Sequence, residues 1–437
     1  MSSKPKTTAT KEDGKPALVP KLRFPGFVTP WSNDPLSKTL KEHKLKNTDG
    51  RDVFSVSMES GIVNQIEHLG RSYAASDTSH YTIGRRFDLV YTKSPLKAFP
   101  FGIVKQCKFD GEVALSPLYG VFTPPNPHVG LMIEAYFESP NRSKAFLSPL
   151  CQKGAKNTLQ ITNPTFLSGR LPLPTQEAEQ KKIGECLSSV DELIAAHGQK
   201  LDALKTHKKG LMQQLFPPEG ETQPRLRFPV FQDTGEWEER ELGPLTNKVG
   251  SGITPLGGDK NYKTVGRPFV RSQNVGWGEL ILDDVAFIDE ETHSSFSSTE
   301  IESLDVLLNI TGASIGRSVV ADSRVAGGNV NQHVCIIRLK AKELNPILLN
   351  QYLISQYGQK QIDSFQAGGN RQGLNFAQIR SFLIPIPPTE DEQERIADCL
   401  SSLDELIAAQ SRKLEALKTH KKGLMQQLFP FTEEVEA

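Results

Sequence analysis

The sequence predicts an α+β protein in which two mixed α/β domains are separated by two long helices that form an antiparallel coiled coil. The first observation is an internal repeat: Leu187–Pro217 returns 213 residues later as Leu400–Pro430, with 26 of 31 positions identical. The second is a shorter repeat at a shift of 204, in which Leu22–Phe27 (LRFPGF) corresponds to Leu226–Phe231 (LRFPVF). The third is that the blocks between these repeats hardly resemble each other. A tandem duplication with a pseudo-twofold axis and two different inserts accounts for all three.

Six segments follow from this duplication. They are a disordered basic leader at 1–21, a first mixed domain at 22–170, a spacer helix segment at 171–217, a second mixed domain at 218–383, a second spacer helix segment at 384–430 and an acidic tail at 431–437. The leader is rich in lysine and almost free of apolar residues, which is typical of disorder. With 437 residues, the chain is long enough for each mixed domain to bury its own core.

The repeated helices have a heptad pattern, because apolar residues recur at alternating spacings of four and three. Prolines before an acidic first turn predict where each helix begins, and Pro217 and Pro430 predict where it ends. An uninterrupted helix of about 33 residues would be roughly 50 Å long and would act as a spacer. The predicted seam consists of Ile183, Leu187, Val190, Ile194, His197, Leu201, Leu204, Leu211 and Leu215 in the first helix, and of Ile396, Leu400, Leu403, Ile407, Gln410, Leu414, Leu417, Leu424 and Leu428 in the second.

Polar residues interrupt both seams. His197 and Gln410 are near the middle, so we expect them to lie close together whether the helices pair in parallel or antiparallel. We interpret them as positions that set the register of the coiled coil, since a single histidine in an apolar seam is more often structural than functional. Lys208 and Lys421 are the other polar seam positions.

The composition argues against several classes of protein. No stretch approaches the roughly 20 apolar residues of a membrane span, and the N-terminus lacks the apolar core of a signal peptide, so we expect a cytoplasmic protein without a membrane partner. The five cysteines form no CxxC pair and no Cys/His cluster with metal spacing, so we expect neither a disulfide nor a metal site. The formal net charge is zero, so contacts with phosphates would have to come from local patches or from partner subunits.

The second mixed domain contains four loops in which Arg, Gln and Asn stand beside glycines. Side chains of these types make bidentate hydrogen bonds to base edges in the major groove of DNA. A solvated turn explains any one of the loops equally well. The candidate base-reading residues are Arg271, Gln273, Asn274, Arg317, Asn331, Gln332, Asn370 and Arg371.

The first mixed domain offers only basic candidates. Residues 33–170 contain 17 Lys and Arg against 12 Asp and Glu, a net charge of +5, whereas residues 238–383 have a net charge of −2. No counterpart of the Gly312–Arg317 loop is evident in the first block, so its candidate DNA contacts rest on charge alone. They are Lys93, Lys105, Arg142, Lys144 and Lys156.

The repeated segments resemble a known family. LPLPTQEAEQKKI and IPIPPTEDEQERI, the later ALKTHKKGLMQQLFP of each repeat, and paired helices that bracket unlike domains are similar to the specificity subunit of type I restriction-modification systems. In the second block, NITGASIGR and NVNQHV resemble segments of the target-recognition domains of that family. Phe87–Tyr91 and Ser116–Tyr119 are family-like stretches of the first block.

The resemblance implies a non-catalytic subunit that binds double-stranded DNA. Each mixed domain would be a target-recognition domain for one half of a split, asymmetric sequence, and the helices would set the spacing between the halves. The helices would also dock two methylation subunits, and the assembly would recruit restriction and translocation subunits. The chain itself would bind no cofactor, because S-adenosylmethionine, ATP and Mg are expected on the partner subunits.

Two other functions remain open from the sequence. Asn163–Phe166 (NPTF) is one residue away from the Asn-Pro-Pro-aromatic motif of amino-methyltransferases, which would suit a free-standing methyltransferase, but no glycine-rich cofactor loop accompanies it. A coiled-coil scaffold for protein partners would explain the helices but not the divergent inserts. The sequence argues against a phosphate-binding loop at Gly312–Ser318, because three residues separate its glycines and arginine replaces the required lysine.

Overall fold

The computed structural model describes residues 18–153, 159–255, 257–366 and 373–430. They form two compact units. Unit 1 combines the described residues of Met1–His197 with those of Lys413–Ala437, and unit 2 contains the described residues of Gly198–Arg412. Each unit therefore contains one mixed domain, the first part of one long helix and the last part of the other. The predicted leader, except for residues 18–21, and the predicted acidic tail lie outside the described residues.

Unit 1 is built mainly from two four-stranded sheets, with strand orders β2-β9-β6-β7 and β4-β3-β8-β5. Its strands are β1 (Ser32–Pro35), β2 (Lys41–Glu42), β3 (Val53–Ser57), β4 (Gly61–Asn64), β5 (Thr82–Arg85), β6 (Leu89–Thr92), β7 (Ile103–Gln106), β8 (Glu112–Leu115), β9 (Gly120–Thr123), β10 (Gln152–Lys153), β11 (Leu159–Gln160) and β12 (Arg170–Leu173). Its helices are α1 (Gln65–Leu69), α2 (Pro127–Phe137), α3 (Pro140–Leu147), α4 (Asn163–Ser168) and the first part of α5 (Glu177–Leu215).

Unit 2 contains one four-stranded and one three-stranded sheet, with orders β14-β20-β17-β18 and β16-β15-β19. Its strands are β13 (Glu238–Glu241), β14 (Thr246–Ser251), β15 (Arg267–Val270), β16 (Ala286–Ile288), β17 (Val306–Asn309), β18 (Ser318–Val320), β19 (Asn329–Val330), β20 (Val334–Leu339) and β21 (Leu383–Ile386). Its helices are α6 (Glu290–Ser295), α7 (Pro346–Ile354), α8 (Gln356–Ser364), α9 (Phe376–Arg380) and the first part of α10 (Glu390–Leu428).

The two mixed domains share a topology although their sequences differ. In both, one sheet is an antiparallel set of four strands. In the other sheet, a central strand has an antiparallel neighbour on one side and a parallel neighbour on the other: β3 lies between β4 and β8, and β15 lies between β16 and β19. In both domains, successive buried side chains of a strand alternate between the two faces of its sheet, and strands of either sequence follow this alternation. Leu89 and Leu308 thus face the core beside the long helices, whereas Val90 and Leu307 face the core between the sheets.

The long helices begin and end where prolines stand in the sequence. Both α5 and α10 have 39 residues, which corresponds to about 58 Å. They are longer than expected because the acidic segment after the prolines is already helical. Each ends two residues before Pro217 or Pro430, since the residue before a proline disfavours helical geometry. The first residues of both predicted spacer segments form strands instead, as β12 pairs with β1 and β21 pairs with β13.

Within each unit, the start of one long helix runs antiparallel to the end of the other. In unit 1, Asp191 of α5 is ion-paired with Lys421 of α10 at 2.7 Å. Towards the beginning of α5 and the end of α10, Leu187 and Leu428 share one core. Unit 2 repeats this arrangement 213 residues apart, with Asp404 and Lys208 at 2.6 Å and with Leu400 and Leu215 in one core. The predicted antiparallel pairing is therefore confirmed within each unit.

The burial of the helices agrees with the predicted seam. Every seam residue is buried or half-buried. In contrast, Leu193 and Leu406, on other faces of the helices, are 47% and 55% exposed. His197 belongs to unit 1 and Gln410 to unit 2, so their proximity stays a prediction.

Candidate nucleic-acid interface

Three of the four glycine-flanked loops lie together at one edge of the second mixed domain. They follow the ends of β15, β17 and β19. The side chain of Asn309 donates a hydrogen bond to the carbonyl of Ser272 at 2.8 Å and joins the first loop to the second. Thr311 Oγ1 lies 2.6 Å from His333 Nδ1 and joins the second loop to the third. Ser272 and His333, which are 61 positions apart in the sequence, thus belong to one surface.

The fourth loop reaches the same edge at its last residue. Gly373 forms a β-bridge with Thr311. Asn370 and Arg371 fall in the segment 367–372, which lies outside the described residues, so their placement stays a prediction.

Arg317 and Gln332 are the candidates most available to a ligand. Arg317 is half-buried, and its guanidinium has no partner among the described residues. Gln332 is exposed, and its amide nitrogen lies 3.2 Å from His333 Nε2. Gly316, with φ of +85°, permits the turn that precedes Arg317.

Arg271 and Gln273 share one acidic partner. Arg271 donates to the carbonyl of Asp284, lies 3.4 Å from its carboxylate, and stacks 5.3 Å from the centre of the Tyr262 ring. Gln273 donates to the other carboxylate oxygen of Asp284. The Asp284 side chain is 79% exposed, so it is free to rotate away. Asp284 therefore occupies donors of both side chains.

Asn274 and Asn331 shape the loops from inside. Asn274 is 1% exposed; its oxygen accepts from the Arg271 amide at 3.0 Å and its nitrogen donates to the Ile281 carbonyl at 2.9 Å. Asn331 is 8% exposed, and its oxygen accepts from the His333 amide at 3.0 Å. Because the Asn274 amide is buried and bonded through both its oxygen and its nitrogen, we leave Asn274 out of the base-contacting set, whereas the contact of Asn331 with DNA stays a prediction.

The basic candidates of the first mixed domain differ in whether they are buried or exposed. Lys105 is buried, 3.2 Å from Glu138 and 3.4 Å from Glu134. Arg142 is also buried and donates to the last carbonyls of α10, which stabilises the C-terminus of that helix. Neither side chain is available at the surface, so we withdraw both as DNA contacts. Lys93 and Lys144 are exposed, and Lys156 lies outside the described residues.

The structure supplies the counterpart of the Gly312–Arg317 loop that the first block lacked in sequence. It is the hairpin between β6 and β7, because these strands correspond to β17 and β18 in sheet order. Lys93 opens this hairpin. Gly102 closes it at φ of +96°, where a Cβ would lie 1.9 Å from the carbonyl oxygen of Thr92. The counterpart of the Asn331–His333 loop is Ser116–Leu118, in which Leu118 is 74% exposed.

Two exposed aromatic residues of the mixed domains were missed in the sequence. Trp277 is 51% exposed in a Gly-Trp-Gly turn of the second domain. In the first domain, Tyr73 is 60% exposed, and the guanidinium of Arg71 lies 4.5 Å from its ring centre. Exposed rings and cation–ring pairs stack on nucleobases. A large aromatic between two glycines was the signal that would have identified Trp277.

The methyltransferase-like motif is part of a core. Phe166 is fully buried and stacks on Tyr91 with ring centres 4.6 Å apart. The Asn163 amide donates to Glu42 at 2.9 Å. Among the described residues, no group of three or more His, Cys, Asp or Glu is placed to hold a metal ion. No helix in the described part of the chain is long and apolar enough to cross a membrane.

Known proteins similar to this chain share one description. Residues 234–419 match the family model of the type I restriction modification DNA specificity domain. The type I restriction enzyme MjaVIII specificity subunit of Methanocaldococcus jannaschii is 25% identical over 274 residues, which cover 61% of this chain and 62% of that protein. The putative MjaX specificity subunit of the same organism is 25% identical over 275 residues, covering 62% and 61%. The chain thus spans about three fifths of the length of these relatives.

A solved structure shares the fold over nearly the whole chain. The S subunit of a type I restriction-modification system from M. genitalium has a TM-score of 0.62 at 14% identity, covering 95% of this chain and 100% of that one. The family match and the two relatives confirm the resemblance seen in the repeats: the chain is similar to type I restriction-modification specificity subunits, and it shares the fold of one such solved structure.

Proposed function

We propose that this chain is the non-catalytic DNA-recognition subunit of a type I restriction-modification complex, in which each mixed domain binds one half of a bipartite, asymmetric DNA target. The observation that supports this most strongly is that the same long-helix segment occurs twice, whereas the loops at the edges of the two mixed domains differ. The two equivalent helix segments are suited to bind two copies of one methylation subunit, and the two different sets of loops are suited to bind two different half-sites. Restriction and translocation subunits would complete the assembly, with S-adenosylmethionine, ATP and Mg bound by the partners.

The proposal assigns the target-recognition domains to 22–170 and 218–383, and the spacer segments to 171–217 and 384–430. Since α5 and α10 are uninterrupted over 39 residues each, they supply a stiff element able to fix the distance between the half-sites. The relatives are named specificity subunits, which supports a chain that selects the sequence while its partners perform the chemistry.

In the second domain, Arg317 and Gln332 are proposed to contact base edges directly. Arginine pairs with the two acceptors of guanine, and glutamine with the donor and acceptor of adenine. Arg271 and Gln273 would join them when DNA replaces Asp284 as their acceptor. Asn370 and Arg371 stay proposed members of this surface.

In the first domain, the proposed surface comprises the β6–β7 hairpin and the loop after α1. Lys93 and Lys97 are exposed on the hairpin, and Arg71 with Tyr73 offers a stacking platform. Lys144 and Lys156 are proposed as phosphate contacts, which add affinity without selecting a sequence.

The test is methylation in the host. Co-expression with the cognate methylation subunit, followed by single-molecule sequencing for methylated adenine, should reveal a split asymmetric motif that vanishes when this chain is deleted. Methylation that survives the deletion, or the absence of any motif, would favour a coiled-coil protein scaffold.

Substitution in one domain should alter only one half of the motif. Arg317→Ala is expected to relax the preference at one base pair, with a loss of about 1 to 3 kcal/mol at that position. Arg324→Ala is the matched control, because Arg324 is paired with Asp322 at 2.7 Å on the same domain. An unchanged motif in Arg317→Ala would show that this residue does not read a base.

A further inference from the structure

Both Leu-Arg-Phe-Pro motifs contain an arginine that forms a buried ion pair with the long helix that follows. Arg23 donates through Nε and Nη2 to the two carboxylate oxygens of Glu179 at 2.7 and 2.8 Å. Arg227 donates in the same way to Glu392 at 2.8 and 2.7 Å. Each glutamate side chain is 1% exposed and lies in the first turn of α5 or α10.

A tryptophan supplies a third donor to each glutamate. Trp31 Nε1 lies 3.2 Å from Glu179 Oε1, and Trp237 Nε1 lies 3.3 Å from Glu392 Oε1. The contacts match atom for atom although the two blocks they begin are unlike in sequence. We call Arg23–Trp31–Glu179 and Arg227–Trp237–Glu392 the helix clamps.

Each clamp is also joined to the end of the other long helix. In unit 1, the amide of Leu22 donates to the carbonyl of Gln427 at 3.0 Å. The Trp31 ring meets Phe429 edge-on with centres 6.1 Å apart. The equivalents in unit 2 are Leu226 with Gln214 at 2.9 Å and Trp237 with Phe216 at 6.4 Å. A clamp therefore holds the start of one helix, the end of the other and the first residues of a mixed domain together.

Stability alone is a weak reason for such a buried ion pair. Desolvation of the two charges offsets much of their attraction, and apolar residues of similar volume often replace a buried pair without loss of stability. Geometry is a better reason. The planar guanidinium fork binds a carboxylate in one orientation, and the indole donor restricts the carboxylate further. A clamp thus fixes the angle between a mixed domain and the helices, which apolar packing alone would hold less rigidly.

We propose that the helix clamps are positioning devices that hold each target-recognition domain at one angle to the helices, so that the subunit accepts a single number of base pairs between its half-sites. The inference rests on the proposed function. One base pair changes the separation of the half-sites by about 3.4 Å and rotates one half against the other by about 35°, so selection of one spacing requires a stiff joint.

The test removes one clamp while keeping its volume apolar. The double variant Arg227→Met/Glu392→Leu, assembled with its methylation partner, is expected to stay folded by circular dichroism. Its ratio of methylation at the cognate spacing to methylation at spacings one base pair longer or shorter should fall at least tenfold. Arg267→Gln/Glu290→Gln is the control, because it removes another bidentate pair of the same domain, at 2.9 and 2.8 Å, and should leave the ratio unchanged.

A milder variant keeps the test decisive if the double variant does not fold. Trp237→Phe removes one donor to Glu392 and keeps an aromatic ring, so it should lower the ratio in the same direction by a smaller factor. Trp31→Phe should do the same from the other clamp.

The outcomes separate this inference from the function on which it rests. A wild-type complex that methylates no bipartite motif would refute both. A wild-type motif with one spacing, together with folded clamp variants that keep that spacing, would refute only the positioning role. Folded variants that methylate no spacing would also refute it, because the clamps would then serve binding itself.

Discussion

Lys421 and Lys208 are equivalent residues in two identical segments, KTHKKGLMQQLFP, but they have different neighbours. Lys421 Nζ lies 2.6 Å from Glu138 Oε2 and 2.7 Å from Asp191 Oδ1, and its side chain is 13% exposed. Replacement of Lys421 by methionine keeps the apolar stem and removes the charge that both carboxylates share. The comparison with Lys208→Met isolates the effect of the surroundings from that of the local sequence.

The size of the effect follows from the exposure of the carboxylates. Glu138 and Asp191 are 21% and 26% exposed, so they stay largely desolvated when the ammonium is lost. Removal of one partner from a buried pair costs about 3 to 5 kcal/mol, and an exposed pair contributes at most about 1 kcal/mol. Lys105 remains beside Glu138. We therefore expect Lys421→Met to lower the free energy of unfolding of unit 1 by about 2 to 3 kcal/mol.

The matched substitution should cost less. Lys208 Nζ contacts one carboxylate, that of Asp404, at 2.6 Å. The second oxygen of Asp404 keeps its hydrogen bond from Gln351 at 2.7 Å, and the side chain is 34% exposed. With water and one donor left to the carboxylate, Lys208→Met should lower the stability of unit 2 by about 1 kcal/mol.

Hydrogen exchange measured by mass spectrometry on the full chain reads the two units separately. In Lys421→Met, amides of α2 and α3 should exchange roughly 30- to 150-fold faster, whereas amides of α7 in Lys208→Met should exchange roughly fivefold faster. Equal effects, or a larger effect of Lys208→Met, would refute the reasoning from surroundings.

The stabilisation that Lys421 provides depends on pH in a defined way. Burial alone would lower the pKa of Lys421, but Glu138 and Asp191 outweigh it and the pKa is raised. The stabilisation is therefore fully present below the ordinary lysine value and is lost as the pH rises through the raised pKa. The difference between wild type and Lys421→Met should shrink in alkaline solution and persist at neutral pH.

Further predictions concern two glutamates of unit 1, Glu134 and Glu138, and glycines of the long helices. Burial raises the pKa of Glu134. Glu134→Gln should therefore raise the free energy of unfolding at pH 7 by up to about 1 kcal/mol, measured as a higher urea midpoint, and this gain should become smaller as acid protonates the wild-type carboxyl. A lower midpoint at pH 7 would contradict this. Burial alone would raise the pKa of Glu138, but two adjacent lysines outweigh it and lower that pKa; Glu138→Gln should therefore be destabilising at pH 7, and the loss should fade as the pH falls below the ordinary glutamate value. Gly210→Ala and Gly423→Ala should each raise the free energy of unfolding by about 0.5 to 1 kcal/mol, because an added Cβ meets nothing within 4 Å and alanine favours helix. Gly184→Ala should lower the melting temperature, since its Cβ would lie 2.7 Å from the neighbouring histidine side chain; a rise would contradict this packing.

The helical frame was predictable because its signals are local and repeated. A heptad pattern and flanking prolines depend only on neighbouring residues, and the duplication shows the same pattern twice. The strands Val306–Asn309 and Val334–Leu339 were predictable from apolar runs between turn residues for the same reason. The shared topology of the two mixed domains was not, because sheet order depends on pairing between distant segments, which alternation alone does not specify.

The candidate site shows the same limit. Residue chemistry pointed to Arg317 and Gln332, whose loops are joined through Thr311 and His333. Counting charges cannot distinguish an exposed lysine from a buried one, so Lys105 and Arg142 were chosen although their partners bury them. The carboxylate partners of Lys105 and the carbonyl partners of Arg142 are 29 or more residues away in sequence.

The helix clamps are a further case. The repeated Leu-Arg-Phe-Pro motif was visible in the sequence, but its partner was not. Glu179 lies 156 residues after Arg23, in a first turn where two acidic residues offered the same signal. Only the three-dimensional contacts identify which carboxylate is buried and what it binds.

The central claim is that two unlike domains on one repeated frame each recognise one half-site. The most direct test is a chain in which residues 22–170 occupy both domain positions, expressed with the methylation partner and examined by single-molecule sequencing for methylated adenine. The account predicts that the asymmetric motif is replaced by an inverted repeat of the half assigned to the first domain. Retention of the original asymmetric motif by this folded chain would contradict it.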